Sequence, residues 1–187
     1  MSKLDSFLQG FFLGSTDEHD SYTDWVEWVH ISQGKTHCKD CLKLDGCWFL
    51  KTKKPYAPLH SYCHCITKPI SYSLVVSKAK TESAYSKFDP YLFDPEDHYK
   101  HRKGEMFAQW GYTIDDAAWL QAEMERQAIA KYVSGQYTLG RQDENGQRID
   151  IRIELDRKDG SGEVSFISGW MVYPDGQIKL NTPYGGK

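Results

Sequence analysis

At 187 residues and 21.6 kDa the chain has room for one ordinary domain or two small ones. Hydrophobic residues make up 40% and charged residues 26%, which excludes the disordered class, and an aromatic share of 14% supplies rings for a core. The net charge of −3 excludes strong nucleic-acid binding by bulk charge but leaves room for a local basic patch. No apolar run is long enough to span a membrane.

Near the start, the run from Phe7 to Gly14 is apolar but short. Its lead has one lysine offset by Asp5 and no obvious small-residue cleavage site, so it does not read as an export signal. It reads as a short helix packed on the body or a loose start, in a chain that is cytoplasmic or delivered as an effector. Trp25 to Ile31 is aromatic and β-branched and predicts a strand. Lys39 to Leu44 predicts a turn of helix, and Cys47 to Leu50 a second strand. All five cysteines lie between positions 38 and 65. Residues 20–70 therefore form a cysteine-rich module with too few apolar segments to fold comfortably alone. Residues 71–85 are small and polar and read as a linker, interrupted by Leu74-Val75-Val76.

Residues 86–187 read as an α+β domain. A loop with Asp89-Pro90 and Asp94-Pro95 leads into a helix from Tyr99 to Trp110, closed by Gly111. Thr113-Ile114-Asp115-Asp116 is a capping-box variant that starts a second helix running to about Val133 and ending at Gly135. The apolar period then changes to two. Ile149, Ile151, Ile153 and Leu155 alternate with Asp150, Arg152 and Glu154, the pattern of a half-buried strand. Turns at Glu144-Asn145-Gly146, Lys158-Asp159-Gly160 and Pro174-Asp175-Gly176 space a four-stranded antiparallel meander, about 136–142, 148–156, 163–173 and 177–182. The helices are expected on one face of that sheet, with Trp110, Trp119 and Trp170 in the core.

Cys38-Lys39-Asp40-Cys41 is a C-x-x-C, and His60-Ser61-Tyr62-Cys63-His64-Cys65 supplies a second cluster. Thiolates two or three residues apart project toward one tetrahedral ion, and a second pair from a distant loop closes the shell. Cys38, Cys41, His60, Cys63 and Cys65 offer five ligands for four places, with Cys47 and His64 as further candidates. A disulfide pair or reduced core thiols is the alternative, disfavoured by an odd cysteine count and no export signal. A closed shell of this kind implies structural Zn²⁺. The stretch Cys38-Lys39-Asp40-Cys41-Leu42-Lys43-Leu44-Asp45-Gly46, followed by Pro58-Leu59-His60 and Cys63-His64-Cys65, resembles the cysteine motif of phage Mu F-like minor head proteins over about 30 residues. The large helical portion of those proteins is missing. The resemblance implies a small module of the kind often joined to effector domains in phage genomes.

His98-Tyr99-Lys100-His101-Arg102-Lys103 is a dense cationic run in an otherwise acidic chain, and Asn181-Thr182-Pro183-Tyr184 closes the last strand. A metal-independent ribonuclease needs a base for the ribose 2′ proton, a cation for the phosphate and a donor for the leaving oxygen. His98 or His101 is the candidate base and Lys100 or Arg102 the phosphate clamp, with Thr182 and Tyr184 orienting the phosphate. The bland reading is a solvated helix face and an ordinary strand end. Residues from about 86 onward resemble an uncharacterised domain at the C-termini of bacterial polymorphic toxins and phage-borne proteins. Lys87-Phe88, Tyr91-Leu92, Lys100-His101, Phe107, Gly111-Tyr112, Gly169-Trp170-Met171-Val172 and Leu180-Asn181-Thr182-Pro183-Tyr184 carry that likeness. The helix-then-meander order is similar to the barnase–EndoU–colicin–RelE-like nucleases, which implies RNA as substrate and a cognate inhibitor protein as partner. The expectation is an effector with a zinc module and an RNA-cleaving domain. The alternative is a phage-derived structural or binding protein without catalysis. The sequence does not give an oligomeric state.

Overall fold

The apolar alternation at 149–155 becomes an interior strand, next to the edge, of a five-stranded sheet. In this computed structural model, which describes residues 24–32, 38–94, 96 and 102–184, Ile149, Ile151, Ile153 and Leu155 are all buried while Arg152, Glu154 and Asp156 are exposed. That strand, Gly146–Asp156, pairs with Glu163–Val172 so that Ile149 faces Trp170, Ile151 faces Ser168 and Ile153 faces Phe166. Counting along the chain, the sheet is built from β4 (Lys80–Glu82), β5 (Thr138–Asp143), β6 (Gly146–Asp156), β7 (Glu163–Val172) and β8 (Gln177–Thr182), in the order β4-β8-β7-β6-β5. The meander β5 to β8 is antiparallel, as the turn spacing requires. Asp175 and Gly176, at φ 59° and 73°, make the two-residue turn between β7 and β8, which Gln177 N–H closes on Pro174 O at 3.3 Å and Tyr173 N–H backs on Gln177 O at 2.8 Å.

Helix α4 (Ala117–Val133) buries Ala117, Leu120, Met124, Ala128 and Tyr132, one face at helical spacing. The capping box expected at Thr113 forms with Asp116, in a 3₁₀ turn ahead of the helix. Lys158, 2.5 Å away, holds the Asp116 carboxyl below its ordinary range. At the other end Gly135 N–H bonds Tyr132 O and Gln136 N–H bonds Lys131 O, a Schellman closure with Gly135 at φ 70°. Helix α4 also guards a sheet edge. Strand β5 pairs with β6 only as far as Asp150. Beyond it, Gln127 exchanges bonds with Glu154 N–H and O (3.0 and 2.6 Å) and Lys131 Nζ donates to Arg152 O at 2.7 Å. Backbone groups that would otherwise lack partners are satisfied by side chains.

The N-terminal part is more regular than its sequence suggests. Strands β1 (Trp25–Val29), β2 (Trp48–Leu50) and β3 (Ile66–Ile70) form an antiparallel sheet in the order β2-β1-β3, with helix α1 (Lys39–Leu44) between β1 and β2. Residues 71–85, read as a linker, carry helix α2 (Tyr72–Lys78), capped by Ser71, and strand β4, which pairs in parallel with β8. The core is continuous across both parts. Trp25 meets Tyr132 edge to face at 5.1 Å, Tyr137 OH accepts from Leu50 N–H at 2.8 Å, and Asp175 N–H donates to Gly46 O at 3.0 Å. Burial elsewhere in the molecule thus supplies what the cysteine-rich part lacks.

Two expectations change. The helix predicted from Tyr99 is α3, described over Lys103–Gln109, and positions 97–101 lie outside the described residues, as does the run from Phe7 to Gly14. Trp110 and Trp170 are core, but Trp119 is half exposed. It falls between the inward positions Ala117 and Leu120 and stacks on Tyr112 at 5.7 Å.

Tyr132 is fully buried and its hydroxyl donates to Trp48 O at 2.6 Å. Tyr132→Phe leaves that carbonyl without its donor, and the expected cost is about 1–3 kcal/mol in chemical denaturation. An unchanged midpoint would mean this bond adds nothing to the joint between the two parts.

Candidate functional site

Cys41 is the hub of a sulfur and imidazole cluster. It sits on α1 with 1% of its surface exposed, three residues after Cys38, the residue that precedes the helix. One helical turn brings both thiols to the same side. The loop from β2 to β3 returns His60, Cys63 and Cys65 to that side. His60 Nε2 lies 3.3 Å and Cys63 Sγ 3.6 Å from Cys41 Sγ, and Cys63 N–H bonds His60 O at 3.0 Å to hold the loop closed. All five residues predicted as ligands therefore converge. No disulfide joins them.

A sixth group was not anticipated. His30 follows β1, and its Nδ1 lies 3.6 Å from Cys65 Sγ. Its backbone N–H bonds Asp45 Oδ1 at 2.8 Å, which fixes the end of β1 against the turn after α1. His30, Cys41 and Cys65 form one group with mutual ligand-atom distances within 4.8 Å, and Cys38, Cys41 and His60 form another. A histidine eight positions before the first cysteine was the available signal, but only the β1–β3 pairing places it beside Cys65. Of the further candidates, His64 is exposed. Cys47 is elsewhere: buried, with Sγ against Lys43 O and Val172 O, and with its thiol pushed up to about 12 by burial and then by Asp45.

The spacing suits a metal ion. A tetrahedron with bonds of ~2.3 Å to sulfur and ~2.0–2.1 Å to nitrogen has S···S edges of about 3.8 Å and S···N edges of about 3.5 Å. The three contacts of 3.3–3.6 Å are close to such edges. Burial pushes the Cys41 thiol far up, and the adjoining thiols Cys65, Cys63 and Cys38 add to the rise. Burial also acts to raise Cys63, but backbone bonds from Cys65 and Leu59 together with side-chain bonds from Cys65 and Cys41 leave this thiol below its ordinary value. Burial raises the Cys65 thiol and Cys63 adds to the rise, with Cys41 and the Trp28 indole opposing it; that buried indole Nε1 meets no oxygen or nitrogen acceptor. A cavity that crowds four thiols and also favours thiolate at one of them has the chemistry of a cation site. These Cys and His groups are close enough to hold a metal ion.

A second constellation lies on the other part of the molecule. Lys103, the first residue of α3, donates from Nζ to Thr182 Oγ1 at 3.0 Å and to Tyr91 OH at 3.2 Å, with the ammonium 5.3 Å from the Tyr91 ring centroid. Thr182 Oγ1 bonds Tyr184 O at 3.0 Å, while the Tyr184 ring leans on Phe166. Lys87, at the end of the 3₁₀ turn Tyr85–Lys87, donates to Asn181 O at 2.8 Å. Burial lowers the Lys87 pKa, and the charge of Lys103 lowers it further. Packing fixes the frame: Phe107 contacts Phe93, Trp110 and Phe166. A Cβ at Gly104 would come within 2.5 Å of Leu92 O, so glycine is what lets α3 approach the loop carrying Tyr91.

The cationic run and the end of β8 are thus joined by Lys103, a member of that run given no role from sequence, and Thr182, one of the residues chosen. Arg102 is exposed and pairs with Glu105 at 2.8 Å. His98, Lys100 and His101 lie outside the described residues. Lys87 and Tyr91 carried the likeness to the toxin-associated domain, but without a role. Only the pairing of β4 with β8 places the segment after β4 beside Asn181.

Residues 77–187 match a family model described as a domain of unknown function, DUF6883. No curated protein and no solved structure is significantly similar. The match begins within α2 and takes in all of the five-stranded sheet, more than half of the chain, and the chain belongs to this family.

Proposed function

We propose that the DUF6883 domain of this chain cleaves RNA without a catalytic metal, within a phage- or polymorphic-toxin-related effector whose cysteine module is held by structural zinc. The observation that carries the reading is the contact of Lys103 with Thr182, which makes one polar site from two segments 79 residues apart. Lys87, Lys103, Tyr91 and Thr182 supply two ammonium groups and two hydroxyls near the end of β8, an inventory suited to a phosphodiester. Lys103 neutralises charge on the phosphate, and Thr182 orients a non-bridging oxygen. A base from the neighbouring run, His98 or His101, takes the 2′-hydroxyl proton. The 2′ oxygen attacks phosphorus, the P–O5′ bond breaks, and the departing 5′ oxygen takes up a proton, leaving a 2′,3′-cyclic phosphate and a 5′-hydroxyl.

Zinc is supported by the donors themselves, since thiolate and imidazole in a tetrahedral arrangement select it. Cys41 and Cys65, with two of Cys38, Cys63, His60 and His30, would hold it. When bound, the ion supplies folding energy rather than chemistry, because four protein ligands leave no open position.

The test uses the full chain, zinc left in place, in magnesium-free buffer with total RNA. Fragments with cyclic phosphate ends are expected, formed at least tenfold more slowly by Thr182→Val. Intact RNA at enzyme excess would overturn catalysis and favour the phage-derived binding protein. Growth arrest on expression in bacteria, relieved by a cognate inhibitor, is the matching expectation in cells.

A further inference from the structure

Between Gly46 and Thr81 the chain carries six lysines and no Asp or Glu, although its net charge is −3. The middle of this stretch is the loop between β2 and β3, the loop that His60 and Cys63 tie to Cys41. Its side chains are sorted. Ala57, Leu59 and Cys63 pack against the core, while Tyr56 and Tyr62 point outward. Those two rings are 81% and 87% exposed, and no other large hydrophobic among the described residues exceeds 50%. Lys53 is engaged on Gly135 O at 2.7 Å. Lys51 and Lys68 are exposed and Lys54 half-buried, and among the described residues no ion pair occupies them.

We propose that this loop is a docking surface for single-stranded RNA, with Tyr56 and Tyr62 as stacking platforms and Lys51, Lys54 and Lys68 facing the phosphates. Two bare rings on one loop offer flat faces, and an unpaired base can stack on each. Ammonium groups flanking the two rings in sequence meet the repeating negative charge of a strand. Tyrosine beside lysine also suits an acidic protein or an anionic membrane surface, and competition by poly-glutamate or phosphatidylserine vesicles separates those from a single strand. Closure of the loop on Cys41 holds the rings in place, so that less freedom is lost on binding. The choice of RNA over DNA rests on the proposed ribonuclease activity; the surface itself does not.

The probe is a fluorescein-labelled 20-mer of uridine, titrated against the zinc-loaded full chain carrying Thr182→Val and followed by anisotropy. Binding should strengthen as salt is lowered and be at least tenfold weaker for a blunt RNA duplex. Tyr56→Ala with Tyr62→Ala should raise Kd at least tenfold, with zinc content and circular dichroism unchanged. Lys51→Gln with Lys54→Gln should weaken binding and flatten its salt dependence. An unchanged Kd in the tyrosine variant overturns the proposal, as does equal competition by poly-glutamate or phosphatidylserine vesicles. A thymidine 20-mer that binds tenfold tighter overturns the choice of RNA. Loss of cleavage with binding retained sinks only the ribonuclease. Cleavage by the wild-type chain with no uridine binding sinks only this surface.

Discussion

Cys41→Ser is expected to reduce bound zinc from about one ion per chain to less than ~0.1 and to lower the melting temperature by about 8–16 °C. Cys41 is the one thiol that both ligand-sized groups share, so its loss removes a vertex from either possible shell. It is also 1% exposed, on a helix of six residues that has no side-chain cap. A helix this short owes its stability to what it is tied to. Loss of a structural metal belongs to the class of change that costs about 4 kcal/mol or more, and for a chain of this size each kcal/mol is worth ~2–4 °C. Excess chelator should reproduce the loss in the unmodified chain, and added zinc should reverse it. The histidines then define the shell. His30→Ala is expected to weaken zinc at least tenfold and to shift the cobalt spectrum toward an all-sulfur pattern. If His60→Ala does this and His30→Ala does not, the fourth ligand comes from the loop and His30 is only a neighbour. Cys47→Ala should leave zinc content untouched, because its thiol contacts carbonyls and not the cluster.

What could be read from residues alone follows from the range of the forces involved. The meander was legible because a period of two and Asn-Gly or Asp-Gly turns are local signals. Ile149 to Leu155 state which face is buried before any partner is known. The five candidate ligands on the helix and loop were legible for a similar reason, since C-x-x-C fixes two thiols on one helical turn. His30 was not, because its place depends on the register of β1 with β3, where Trp28 faces Thr67 and Val29 faces Ile66. Strand β4 was hidden as well. Three residues reading Lys80-Thr81-Glu82 have no apolar pattern, and they form a strand only because β8 offers an edge. That missed pairing had a consequence for the site. Without β4 beside β8 there was no reason to bring Lys87 to Asn181, so the basic group was sought only in the run from His98 to Lys103.

Lys103→Ala is expected to slow RNA cleavage by ~10²–10³-fold, the scale for removing one preorganised charge from a phosphate in transit. Lys103→Arg should recover part of this, because the charge remains while the point-like ammonium between Tyr91 OH and Thr182 Oγ1 is replaced by a planar fork. A purely structural role predicts the opposite order, with stability and rate falling together. Lys87 provides a second, independent readout. Its pKa is lowered by burial and by the Lys103 charge, so the unfolded chain holds more protons than the folded one between the depressed value and the ordinary lysine value. Stability must therefore rise with pH across that window, and Lys87→Met should remove the rise. Lys103→Ala should narrow the window from its lower end, since one of the two causes is gone. An anion seated between the lysines acts in the opposite sense by favouring the charged form. Inorganic phosphate should raise the melting temperature of the unmodified chain more at pH 7 than at pH 10, and should do so weakly in either lysine variant. Equal protection of all three proteins at both pH values would mean that the two ammonium groups hold the fold together at the end of β8 and hold no phosphate.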